Sequence, residues 1–302
     1  MRTLRVYRHG ITVSTPPGYA PHKRALRDTV QGWSSGATRR NVAFLRSVDE
    51  TRLDAPDTVG LAFTLTVKDC PPTARDWHAL RRAFIERLRR RGLVRLHWVT
   101  EWQRRGVPHL HGCLWVPSAG PHFTHTSLPM LADWLALAAP FWAGAKGQHI
   151  APITDAVGWL QYLAKHAARG VSHYQRAAEN IPPGWQQSTG RVWGHVGEWP
   201  LTPPGDIHLT DAEYFALRRM VRAWRVADAR SRPAPRGRAI VSARRMLSHH
   251  DRTLCELRGV SEWIPEHQAV ALYQLARVAC AGNASGSEPT GAGLPALHKG
   301  GE

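Results

Sequence analysis

The 302-residue chain carries 40 lysines and arginines against 23 acidic residues, a formal charge of +17. Such a balance favours a polyanionic partner through counterion release and electrostatic steering, without choosing among DNA, RNA and an anionic membrane surface. No stretch approaches the ~20 apolar residues that span a bilayer, no secretory signal is visible, and four scattered cysteines indicate neither a disulfide framework nor a zinc ribbon. A reducing, cytoplasmic setting is the expectation.

Residues 1–36 contain many arginines and Pro16, Pro17 and Pro21 without a sustained period, and read as a flexible basic arm. Thr38 to Glu50 predicts a short helix, and a turn at Asp54 to Asp57 leads into a strand over Val59 to Lys68. There Phe63, Leu65 and Val67 alternate with Thr64 and Thr66, which are candidates for the DNA side. Thr73 to Arg91 reads as a crossover helix. Its Trp77, Leu80, Phe84 and Leu88 recur at helical spacing, while Arg75, Arg81, Arg82, Arg87, Arg89 and Arg90 form a solvated face.

Leu93 to Val116 reads as two strands joined by a tight turn. Alternation puts Arg95, His97, Val99 and Glu101 on one face of the first strand, and His109 and His111 on one face of the second. A three-residue loop at Arg104, Arg105 and Gly106 makes the numbers of opposed residues sum to 210, so Glu101 faces His109. One carboxylate and two imidazoles then converge with Cβ atoms ~5 Å apart across the pair. His-x-His alone is also an ordinary half-buried strand pattern. With the carboxylate it suits a divalent ion with open positions, Mn²⁺ or Mg²⁺ when the substrate is a phosphate.

Beyond a loop at Pro117 to Pro121, the pattern predicts a helix over Leu128 to Trp142 and a strand over Gln148 to Ile153. Thr154 to Gly170 then reads as an amphipathic helix with Ala156, Leu160, Leu163 and Ala167 as its apolar stripe. Tyr162, Lys165 and Arg169 fall on the other side, a cationic setting unlike that of a core tyrosine. Gly190 to Trp199 predicts a further strand, and Pro200 to Gly205 a boundary. A capping box at Thr210 and Glu213 opens a helix to about Asp228, with Arg218, Arg219, Arg222 and Arg225 outside its apolar stripe. Arg230 to Arg238 reads as a linker, Ala243 to Arg258 and Pro265 to Ala281 as two helices, and residues 282–302 as a disordered tail. The whole is an α+β pattern: a central antiparallel sheet with helices on one face, plus a C-terminal helical extension. Most of the thirteen tryptophans should be core, with a few free to stack on unpaired bases.

Four motifs stand in one order. Ala62 to Val67 resembles the apolar-threonine strand of rolling-circle replication initiators. His109-Leu110-His111 resembles the signature of HUH endonucleases, Tyr162-Leu163-Ala164-Lys165 their Tyr-x-x-Lys motif, and Glu101 stands where single-tyrosine members place a third ligand. The resemblance implies a metal-dependent DNA endonuclease and strand transferase, a single-tyrosine Rep protein of a plasmid or single-stranded DNA phage in a bacterial host. It makes Glu101, His109 and His111 metal ligands, Tyr162 the nucleophile and Lys165 the assisting cation, with Thr64, Thr66, Arg104, Arg105 and Arg169 as DNA contacts. It assigns the catalytic domain to residues 37–200 and a basic accessory region to 201–281. The implied partners are single-stranded or hairpin origin DNA and, because no Gly-x-x-x-x-Gly-Lys-Ser/Thr loop occurs, a host helicase and DNA polymerase. The alternatives are a transposase or relaxase with the same chemistry, or a basic DNA-binding regulator without enzymatic activity.

Overall fold

The computed structural model describes residues 2–13, 32–168, 180–186, 188–245 and 260–284. In chain order the elements are β1 (Arg2–Tyr7), β2 (Gly10–Val13), α1 (Ser35–Ser47), β3 (Thr58–Thr66), α2 (Ala74–Arg90), β4 (Arg95–Trp102), β5 (Pro108–Pro117), α3 (Phe123–Ala138), β6 (His149–Pro152) and α4 (Ala156–Ala168). They continue with β7 (Trp193–Gly197), β8 (Gly205–Leu209), α5 (Asp211–Ser231), α6 (Gly237–Arg245), β9 (Val260–Glu262) and α7 (Glu266–Ala284). The chain divides into two units, one of residues 7–9 and 20–203, the other of residues 1–6, 10–19 and 204–302.

The larger unit is an antiparallel sheet in the order β6-β3-β5-β4-β7, with the histidine strand β5 in the middle. Its register sorts the side chains by parity. Leu61, Phe63 and Leu65 of β3, Leu96, Trp98 and Trp102 of β4, and Leu110 and Leu114 of β5 share an apolar face. Against it pack Trp77, Leu80, Phe84 and Leu88 of α2 and Met130 and Trp134 of α3. Each such buried side chain contributes roughly 1.5–3 kcal/mol, so this layer fixes the sheet's shape. α2 begins where expected, because the Thr73 hydroxyl accepts from Asp76 N while the Asp76 carboxylate accepts from Thr73 N.

The other face carries Arg95, His97, Val99 and Glu101 of β4, His109, His111 and Cys113 of β5, and Thr64 and Thr66 of β3. α1 covers its His97 end. Asn41 Oδ1 accepts from His97 Nε2 at 2.7 Å, and the Phe44 ring stacks between His97 and His195, with centroids 5.6 and 4.3 Å away. Burial pushes the His97 imidazole down to about 3 and raises the Cys113 thiol. The Glu101 end of this face is where the second strand's histidines lie.

The smaller unit is a sheet in the order β8-β1-β2-β9, with α5 and α7 supplying Tyr214, Leu217, Val221, Leu272 and Ala276 to a core with Leu4, Ile11, Val13 and Leu209. Several expectations change here. Arg2 to Val13, read as part of a flexible arm, forms β1 and β2, because Leu4 and Val6 alternate with Thr3 and Arg5 and find pairing partners in β8 some 200 residues later. Strands β8 and β9 lie in a region read as helical, and α6 begins inside the stretch read as a linker. The expected helix over 243–258 falls largely outside the described residues, as does the tail after residue 284. Two arginines assigned to solvated faces are buried: Arg81, stacked on Trp98 at 3.6 Å, and Arg218, 5.5 Å from the Tyr214 ring.

Candidate metal centre

The β4–β5 hairpin sets the site. Gln103 N donates to Val107 O and Gly106 N to Gln103 O, both at 2.9 Å, closing a loop of Arg104, Arg105 and Gly106. Gly106 takes φ +75°, a left-handed conformation that glycine adopts without steric penalty. With that loop fixed, Glu101 pairs with His109 and Val99 with His111, as the alternation requires.

Three ligand groups therefore meet on one face. Glu101 Oε2 lies 3.7 Å from His111 Nε2 and 3.9 Å from His109 Nε2, and one ligand atom from each residue falls within 4.8 Å of the others. The two imidazoles stand edge to face at 86°, centroids 4.3 Å apart. These spacings exceed the 2.7–3.2 Å of a direct hydrogen bond. Metal bonds of about 2.0–2.2 Å place neighbouring ligand atoms about 3.0–3.5 Å apart, so a small adjustment closes the group on a cation. Glu101 is fully buried, and a carboxylate there calls for a compensating charge. This donor set can hold a metal ion.

Thr64 completes the geometry. Its Oγ1 lies 2.8 Å from His111 Nδ1, so with Nδ1–H donating to the hydroxyl, the Nε2 lone pair points toward Glu101. The Thr66 hydroxyl accepts from Gln103 Nε2 and donates to Val67 O, and its backbone exchanges hydrogen bonds with the Gln148 side chain. Both threonines are thus engaged within the protein. Of the cations on the hairpin tip, Arg104 is exposed, whereas Arg105 donates to Val67 O at 2.6 Å and to Lys68 O, binding the tip to the end of β3.

Tyr162 lies on α4, which follows the edge strand β6 and packs against α1. Leu160, Leu163 and Ala164 are the buried side of that helix, while Tyr162 is 40% exposed with its ring stacked on Trp159 at 4.9 Å. Lys165 falls one turn further along α4, and Arg169 lies outside the described residues.

The region from β3 to α4 has relatives. Residues 60–170 match the family model of the replication-associated protein ORF2. The chain is 49% identical over 275 residues to a replication-associated protein of Pseudomonas phage Pf3, covering 90% of this chain and 96% of the phage protein. The chain belongs to this family of replication-associated proteins. A putative replication protein of Xylella fastidiosa (strain 9a5c) is 50% identical over 271 residues, covering 88% of this chain and 93% of that one. No solved structure matches.

In this replication-associated protein, sequence reasoning misses three contributors to the face around the metal centre. Thr64, expected on the DNA side, instead touches His111. Asn41 and Phe44, on a helix with no chemical motif, cover the His97 end. The signal for Thr64 is present in the register: a residue opposite His111 on the neighbouring strand shares its face. No local pattern announces α1, because the residues it covers lie some 50 positions later. Among the described residues no helix is long and apolar enough to cross a membrane.

Proposed function

We propose that the chain is a single-tyrosine HUH replication initiator, an enzyme that nicks single-stranded or hairpin origin DNA of a plasmid or phage and later rejoins the strand. The observation that carries this reading is the hairpin register that brings Glu101, His109 and His111 within 4.8 Å while an exposed Tyr162 stands on α4. A divalent ion, Mn²⁺ or Mg²⁺, held by Glu101, His109 and His111 would neutralise charge on the non-bridging oxygens of the scissile phosphate.

The Tyr162 oxygen attacks phosphorus in line and the bond to the 3′ oxygen breaks. The phenol's proton leaves to solvent, and the departing 3′ oxygen takes one up. The protein is left joined to the 5′ phosphate, and the free 3′ hydroxyl serves a polymerase. Lys165 stabilises the negative charge as the phenol ionises. Because the phosphotyrosine is still a diester, a later 3′ hydroxyl reverses the step without ATP. Thr64 acts by orienting His111, and Arg104 and Arg169 are the phosphate contacts of this reading, with Arg105 holding the hairpin tip on which Arg104 stands. Residues 37–200 form the catalytic part and 201–281 an accessory one, with helicase and polymerase supplied by the host.

The test is incubation of the protein and a Tyr162→Phe variant with Mn²⁺ and single-stranded DNA of its own replicon, followed by a denaturing gel. Protein-linked DNA that requires both metal and Tyr162 is expected. Adduct persisting in the variant moves the nucleophile elsewhere. Tight, metal-independent binding without adduct makes the protein a DNA-binding regulator.

A further inference from the structure

Of the thirteen tryptophans, all within the described residues, Trp142 alone is exposed, at 68%. It follows α3 and sits in the left-handed region, at φ 53° and ψ 43°, where a bulky residue is uncommon. Its neighbours do not share its exposure. Phe141 and Ala143 pack on the core, Trp142 N donates to Ala139 O at 3.0 Å, and Ala143 N donates to Ala138 O at 3.3 Å. The backbone is anchored on both sides and the indole is turned outward.

What lies beside it is the metal-centre end of the sheet. Phe141 O accepts from both Lys68 N and Asp69 N at 3.1 Å, which fastens this loop to the chain leaving β3. The Lys68 ammonium is 5.9 Å from the Trp142 ring centroid, and Arg105 donates to Lys68 O. Lys68 follows by two residues Thr66, the partner of His109, which at ~3.3 Å per residue is about 7 Å along the strand direction. Exposed Arg104, Arg105 and Lys146 belong to the same sheet end, against one exposed carboxylate there, Asp69. An outward indole set among cations is how proteins hold unpaired bases, the ring stacking on the base while the cations meet phosphates.

We propose that Trp142 is a stacking platform for one unpaired base of single-stranded DNA at the metal-centre end of the sheet, with Lys68 on a flanking phosphate. This rests on the reading of the protein as an enzyme of single-stranded DNA and adds a binding subsite to it. Duplex DNA, whose bases are already stacked, gains nothing from the platform.

The experiment is fluorescence anisotropy of a fluorescein-labelled dT20 strand and of a 20-base-pair duplex, in EDTA, with the full-length protein. The Trp142→Ala change is expected to weaken dT20 binding about 5- to 100-fold, the range of a lost base–aromatic stack, and to leave duplex binding unchanged. Trp142→Phe should retain most of the affinity. Trp142→Gly relieves the left-handed backbone, so it should melt no lower than wild type while losing dT20 binding. Equal dT20 affinity in wild type and Trp142→Ala overturns the proposal, as does a parallel loss on the duplex, which marks a general charge or folding effect. EDTA suppresses the nicking chemistry, so this result is independent of the adduct assay. Absence of adduct with Trp142-dependent binding sinks the nickase alone, and normal adduct with Trp142-independent binding sinks the platform alone.

Discussion

Thr64 Oγ1 meets His111 Nδ1 at 2.8 Å, across the strand pair β3–β5 that also aligns Thr66 with His109. A β-branched residue is an ordinary strand former, but the hydroxyl at this register fixes both the tautomer and the ring plane of a ligand histidine. Thr64→Val keeps the branched shape and removes the hydrogen bond. It should weaken Mn²⁺ binding by about 10- to 100-fold in titration calorimetry, with Thr64→Ser restoring most of it. Unchanged affinity in the valine variant would remove Thr64 from the site.

The ligand group itself sets a second expectation. Glu101 is fully buried, and the two imidazoles are its ligand-type neighbours. Glu101→Gln keeps the volume and removes the charge, so Mn²⁺ should no longer raise the thermal midpoint, whereas the wild-type midpoint should rise with the logarithm of metal concentration. A metal-induced rise that survives the substitution would place the ion elsewhere.

Much of this is legible because a two-residue period needs only local sequence. The parity of Glu101, His109 and His111, the glycine at position 106 and the threonine caps at 73 and 210 each determine geometry within a few residues. What sequence reasoning misses is non-local. Strand β1 pairs Arg2 with Leu209 and Leu4 with Ile207, and β9 has three residues, so neither strand advertises itself without its distant partner. Likewise Arg81 lies among arginines of identical sequence character, and only the position of Trp98 on the opposing sheet makes it the buried one. Trp142 is hidden for a related reason: the predicted helix runs through it, whereas the chain leaves the helix at Ala138.

Gly112 sits between His111 and Cys113, where a Cβ would run into the His97 carbonyl oxygen and the Phe63 ring. Any side chain there must push β4 from β5, the two strands whose register assembles the ligands. Gly112→Ala should therefore lower stability by about 1–3 kcal/mol, the cost of overpacking a filled core, and should weaken Mn²⁺ binding together with it. Denaturant titration alongside calorimetry checks both. A stable variant with intact metal affinity would show that the strands give way without disturbing the site.

Arg81 stacks on Trp98 and donates to Arg191 O at 3.2 Å, and burial, with Arg191 and Arg82 nearby, depresses its guanidinium to about 9. Its flat ion is matched to the indole face, which a lysine ammonium does not reproduce. Arg81→Lys should cost about 1–2 kcal/mol in urea unfolding, whereas Arg82→Lys, on the exposed side of α2, should be silent. Equal effects would assign the loss to charge alone.

The histidine face also sets the pH dependence of folding. Burial depresses His97 to about 3 and His78 to about 4, with His9 and His195 also lowered by burial. A depressed imidazole is neutral in the folded chain and takes a proton once unfolded, so the unfolded state binds more protons below its ordinary value near 6.5. Stability is therefore at its plateau above that pH and falls as the solution is acidified, by up to about 1.4 kcal/mol per pH unit for each such group until its folded value is reached. Charging His97 would also place a cation beside Phe44 while its Nε2 remains bound to Asn41. Urea midpoints measured from pH 7.5 to 4.5 should decline, and His97→Gln should decline less steeply, by one proton's worth. An identical slope in the variant would mean that His97 titrates at its ordinary value, and that α1 opens readily enough to let water reach it.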